Sequence, residues 1–165
     1  RICGICGHSH LIATAKAIEN AFNAKITKKA QIIRQITLNL EIIENHIKWF
    51  YITLFPTQIK DKKYLFKALN YSKELSKAIA LLAGQYPHNS YAIVGGVTTD
   101  PTNMELIKLK DILLHLYDKF DLLDDINIFF NNLPKDIGKS INRFLTNNID
   151  ITKIKDTSNT FQNIT

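Results

Sequence analysis

Apolar positions recur every three or four residues over most of this chain, which is the period of amphipathic helices. Residues 11–22 are rich in Ala, Leu and Ile, with Ile12, Ala15, Ile18, Glu19 and Phe22 forming one face. Ser9 is a fair N-cap, so the spacing predicts a helix over about 9–23. Thr27 caps a second, long helix reaching about residue 54, along which Ile32, Ile36, Ile43, Ile47, Phe50 and Leu54 recur. Ile33, Leu38, Ile42, Trp49 and Tyr51 widen that stripe around most of the girth, the pattern of a central helix, and Pro56 stops it. Asp61 caps a third helix to about residue 83, with Leu65, Leu69, Leu75, Ile79 and Leu82 on its apolar side and Gly84 placed to end it.

Residues 85–90 read as a loop, and the β-prone run 91–94 ends at Gly95 and Gly96. Thr102 and Glu105 have capping-box spacing just after Pro101. They open a fourth helix to about residue 131, with a break expected near 122–125. Pro134 can start a short fifth helix through Leu145, and the polar tail 146–165 is expected to fray. The predicted class is mainly α: a multi-helix bundle with an irregular Gly-rich loop or short β-ribbon near 91–98.

Composition agrees with one folded domain, at 165 residues, 45% hydrophobic and 22% charged. The longest apolar run falls short of the ~20 residues of a membrane span, and no cleavable leader is visible. The chain opens without Met, inside what reads as a motif, as expected of a fragment. A net charge of +6 raises the question of nucleic acid, but the lysines are scattered at helical spacing and the arginines are only Arg1, Arg34 and Arg143. No nucleic-acid partner is expected.

The chemistry concentrates at the start. Cys3 and Cys6 are the chain's two cysteines, and two thiolates separated by two residues can grip one soft metal ion. Gly4 leaves room for a bulky metal group, and the pair closes only half of a four-ligand site. Either His8 and His10 complete it or ligands outside this chain do. A zinc site made of all four within eight residues is sterically awkward, and a thioredoxin-like pair would need a βαβ context that is missing. By default His8 is a surface or loop histidine, and His115 has no motif around it. Asp121, Asp124 and Asp125 read as a solvated helix end without calcium-loop spacing. Gly95 and Gly96 serve backbone conformation rather than phosphate binding.

The opening segment resembles the first metal-binding motif of the large subunit of nickel-iron hydrogenases, Arg-x-Cys-Gly-x-Cys-x-x-x-His, matched by Arg1, Cys3, Gly4, Cys6 and His10. Three later segments agree in order: 43–51, similar to a His-x-x-His-Phe-Tyr stretch on a long helix, the Pro87-His88 loop, and the Gly-Gly-Val-Thr turn 95–98. The resemblance implies that Cys3 is a terminal nickel ligand, that Cys6 bridges nickel and iron, and that His10 donates a hydrogen bond toward a bridging sulfur. It implies a nickel-iron centre whose iron carries carbon monoxide and cyanide, completed by ligands outside this chain. It also implies reversible heterolytic cleavage of H2, with electrons leaving through an iron-sulfur small subunit. Any membrane association would come through partner subunits, and the cytoplasm is the other compartment consistent with the family. Trp49 stands where the long-helix motif has its second histidine, beside His46. His88 is placed to bind a partner subunit or simply to hold its loop. No second Cys-x-x-Cys follows, so the chain alone is expected to be inactive and to bind nickel weakly or not at all. Two alternatives remain at this stage: the nickel-free, quinone-site subunit of complex I, against which intact Cys3 and Cys6 argue, and an inactive remnant that only binds partners.

Overall fold

The computed structural model describes residues 2–133, so Arg1, the helix expected from Pro134 and the tail 146–165 lie outside the described residues. The chain divides into two compact units, one running to Leu122 and the other beginning at Leu123. In the first unit α1 (Gly7–Phe22), α2 (Lys28–Lys48), α3 (Lys62–Ala83) and α4 (Asn103–Asp118) are joined by short connections, and α2 packs on both α1 and α3. A two-stranded antiparallel ribbon, β1 (Ala92–Ile93) with β2 (Gly96–Val97), pairs Ala92 with Val97 and Ile93 with Gly96. The expected ribbon is therefore present, turned by Gly95 at φ 90°, a conformation that favours glycine.

Local signals account for most helix ends. Thr27 accepts a hydrogen bond from the Ala30 N–H, and Asp61 accepts one from the Lys63 N–H. Gly84 ends α3 with a left-handed φ of 78°. Thr102 and Glu105 form both bonds of a capping box. Thr102→Ala removes the side-chain half of that box and is expected to cost about 1 kcal/mol, read as a lower urea midpoint at unchanged slope; an unmoved midpoint would contradict the cap's contribution.

The buried faces differ from the predicted ones. On α2 the buried positions are Ala30, Ile33, Arg34, Thr37, Leu40, Glu41, Glu44 and Ile47, while Ile32 and Ile43 face outward. The isoleucine stripe and the true face both have helical spacing, and polar pairing selected the second. On α3 the core face runs through Tyr64, Ala68, Tyr71 and Leu75, leaving Leu65 and Leu69 exposed. On α1, Ile12, Ala15 and Glu19 are buried as expected, but Ile18 and Phe22 are exposed.

The long helix does not run on as α to Leu54. Residues Trp49–Leu54 form a π-helical turn, followed by a 3₁₀ turn Phe55–Thr57 that accommodates Pro56 near its start. The changed winding buries Phe50, Tyr51 and Phe55 together. His46, predicted to share a face with Ile43 and Phe50, is exposed with Ile43 while Phe50 turns inward. The fourth predicted helix breaks at 119–121, slightly earlier than expected. There the Tyr71 hydroxyl donates to the Lys119 carbonyl, and the Lys67 ammonium meets the Asp121 carboxylate at 2.6 Å. α5 (Leu122–Asn131) follows, and Asp125, expected in a solvated helix end, is buried.

Candidate metal centre

Cys3 and Cys6 lie in the turn that leads into α1, with Cys6 in the N-cap position. The Cys3 sulfur accepts the backbone N–H groups of Ile5 and Cys6, each at 3.3 Å. Those bonds wrap the backbone around one sulfur and turn both thiols to one side. The Cys6 thiol donates toward Cys3, and that bond leads the backbone N–H groups in holding the Cys3 thiol below its ordinary pKa. The same bond raises Cys6, because its proton is the one being shared. The pair is thus predisposed to one thiolate beside one thiol, a soft donor set with the second proton ready to be displaced by a metal ion. Both side chains are half-buried. Among the described residues no group of three or more His, Cys, Asp and Glu side chains converges to hold a metal. The donor set fits half of a thiolate site, not a closed one.

The predicted alternative of His8 and His10 as completing ligands separates into two cases. His8 is not a surface residue; it is fully buried. Its Nδ1 lies 3.2 Å from the Asn89 Oδ1 and its Nε2 3.0 Å from the Thr37 hydroxyl, and its ring stacks on Tyr91 at 5.4 Å. Both ring nitrogens are engaged, so the side chain is structural. Burial lowers its pKa and keeps it neutral. The arrangement suits Nδ1–H donating to Asn89 and Nε2 accepting from Thr37, with the Tyr91 hydroxyl 2.5 Å from Thr37. Burial also pushes the Tyr91 phenol up to about 12. His10 is half-buried in the second turn of α1 and lines a cleft of about 400 Å³ with Thr14, Pro87, His88 and Asn89. The structure therefore brings His10 and His88 to one cleft beside the cysteine turn, whereas His46 and His115 lie exposed on α2 and α4. Gly7 is the close-approach position in this cleft, since a Cβ there would sit 3.5 Å from the Pro87 carbonyl oxygen.

Two buried polar clusters support this region, and neither was singled out from the sequence. The Glu41 carboxylate accepts the His8 N–H at 3.1 Å, the Ser9 N–H at 2.9 Å and the Ser9 hydroxyl. Ser9, expected to cap α1, instead lies inside its first turn. Further along, Arg34 forms a two-pronged pair with Glu19 at 3.0 and 2.8 Å and donates to the carbonyls of Ile93 and Gly96, while the Gly95 N–H also reaches Glu19. That node ties α1, α2 and the ribbon together. The sequence signal was available: charged residues at helical spacing on a helix that is otherwise apolar must be paired if they are to be buried.

Residues 1–54, which include this turn and all of α2, match the family model described as nickel-dependent hydrogenase. They belong to that family. The chain is 27% identical over 136 residues to the large subunit of the periplasmic [NiFeSe] hydrogenase of Desulfomicrobium baculatum, covering 62% of this chain and 26% of that protein. It is 25% identical over 145 residues to the alpha subunit of the coenzyme F420 hydrogenase of Methanothermobacter thermautotrophicus, covering 84% of this chain and 35% of that one. A third relative belongs to the vhc F420-non-reducing hydrogenase of Methanococcus voltae and is 31% identical over 134 residues, covering 69% and 28%. The chain thus spans about a quarter to a third of the length of these relatives. No solved structure matches it. The hydrogenase family requires nickel, and the cysteine turn is the part of the matched segment with a donor set suited to it.

Proposed function

We propose that Cys3 and Cys6 are two thiolate ligands of a nickel-iron centre in a hydrogenase catalytic subunit, the other ligands lying outside this chain. The observation that carries this reading is the turn in which two backbone N–H groups point at the Cys3 sulfur while the Cys6 thiol shares its proton with it. Cys3 would bind nickel terminally and Cys6 would bridge to the iron, each giving up its thiol proton as the metal binds. His10, in the same cleft as His88, would donate to the bridging sulfur and moderate its basicity. When assembled, with carbon monoxide and cyanide on its iron, the centre supplies reversible heterolytic cleavage of H2. Electrons would pass to an iron-sulfur small subunit, since the chain's two cysteines are both committed to the turn.

The test is made on the complete protein with its partner subunit, purified without oxygen. Wild type should carry nickel and iron and reduce a viologen dye under H2. Cys6→Ser should lose both metals and the activity while keeping its far-ultraviolet circular dichroism. Stoichiometric nickel in Cys6→Ser would refute the assignment, as would a folded, assembled wild type without nickel.

A further inference from the structure

The start of α1 is set by a residue 33 positions away. Cys6 occupies the N-cap but makes no side-chain cap bond, and the first turn holds no acidic residue. Cysteine is a poor cap, so local sequence gives this helix start little support. The good local cap is Ser9, whose hydroxyl could receive the N–H of Leu11 or Ile12 if the helix began there. In the structure that hydroxyl is taken by Glu41, and the N–H groups of His8 and Ser9 are taken by the same carboxylate. Glu41 is fully buried, and its negative charge sits at the positive end of the helix.

We propose that Glu41 is the positioning residue of the thiol pair: from α2 it overrides the Ser9 cap, winds Gly7 and His8 into α1, and so fixes Cys6 at the helix end facing Cys3. Without it the helix begins at Ser9, and the turn between Cys3 and Ser9 is freed to vary. The proposal rests on the reading of Cys3 and Cys6 as ligands but not on nickel. It can therefore be tested on the 165-residue chain with phenylarsenoxide, which forms two arsenic–sulfur bonds to a thiol pair and releases one water, the arsenic staying trivalent.

Glu41→Gln is isosteric but offers one acceptor oxygen in place of two. Its dissociation constant for phenylarsenoxide should rise about tenfold, and the helical chemical shifts of Gly7 and His8 should be lost while those from His10 onward remain. Glu19→Gln is the control: it weakens the buried Arg34 pair at the far end of the same helix and should leave the arsenical affinity unchanged. Ser9→Ala removes one bond to Glu41 without touching the core, and should raise the constant about threefold; it carries the test if Glu41→Gln does not fold. Wild-type affinity with unchanged shifts in Glu41→Gln, wild-type affinity in Ser9→Ala, or an equal loss in Glu19→Gln would overturn the proposal. A complete protein without nickel would refute the hydrogenase reading and leave this one standing.

Discussion

Phe55→Ala will lower the unfolding free energy by about 3–5 kcal/mol, a large part of what a domain of this size possesses. Phe55 is completely buried. Its ring centroid lies 4.0 Å from that of Tyr64 and 5.5 Å from that of Phe50, so truncation removes one member of an aromatic cluster that also includes Tyr51. The surrounding rings are held by a π turn on one side and α3 on the other, which restricts collapse into the cavity. Urea unfolding followed by tyrosine fluorescence measures the loss. Phe66→Ala is the reference, because Phe66 is 61% exposed and its removal should stay within about 0.5 kcal/mol. Equal effects of the two substitutions would mean that the aromatic cluster is not a core.

Arg34→Met should cost a comparable amount, about 3–5 kcal/mol, because it leaves Glu19 buried and unpaired. The side chains of Arg34 and Glu19 are 3% and 6% exposed, and Arg34 also satisfies two ribbon carbonyls. Adding Glu19→Gln to Arg34→Met should recover part of the loss, which a double-mutant cycle reads directly. Acid gives an independent check. The Arg34 hydrogen bonds, helped by the Gly95 N–H, hold the Glu19 carboxyl below the usual carboxylate range despite its burial. A lowered folded-state pKa means stability that is present above the unfolded value near about 4.3 and is lost as pH falls through the folded value. The melting temperature of wild type should therefore fall on acidification below about pH 4 more steeply than that of the double variant. Parallel slopes would show that Glu19 titrates alike in folded and unfolded chains.

Those two sites mark how far the sequence could be read. Helix number, the caps at Thr27, Asp61 and Thr102, the stop at Gly84 and the ribbon at Gly95 all follow from local chemistry, and the structure has them where the residues place them. The cysteine turn was equally legible, since spacing alone makes two thiols converge. What escaped were decisions made between elements. Ile32, Ile36 and Ile43 advertise one face of α2; the face that is buried carries Arg34, Thr37, Glu41 and Glu44, whose partners come from α1, α3 and the ribbon. A helical period identifies both faces and ranks neither. His8 looked like a loop residue because Thr37 and Asn89 are distant in sequence. Ser9 is a sound cap by itself and lost that role to a carboxylate on another helix.

The π turn at Trp49–Leu54 also bears on how this chain should be lined up with others. Such a turn accommodates one residue more than the α-helical turn it replaces. A relative with one residue fewer here could keep α2 intact by running straight on as an α-helix, at the cost of rotating everything after it by about 100°. Single-residue gaps therefore belong inside this turn and not in the loop after Pro56. The family match stops at residue 54, where the turn ends. An alignment forced through the turn without a gap would pair Phe55 with the wrong position, and every core assignment on α3 would inherit the error.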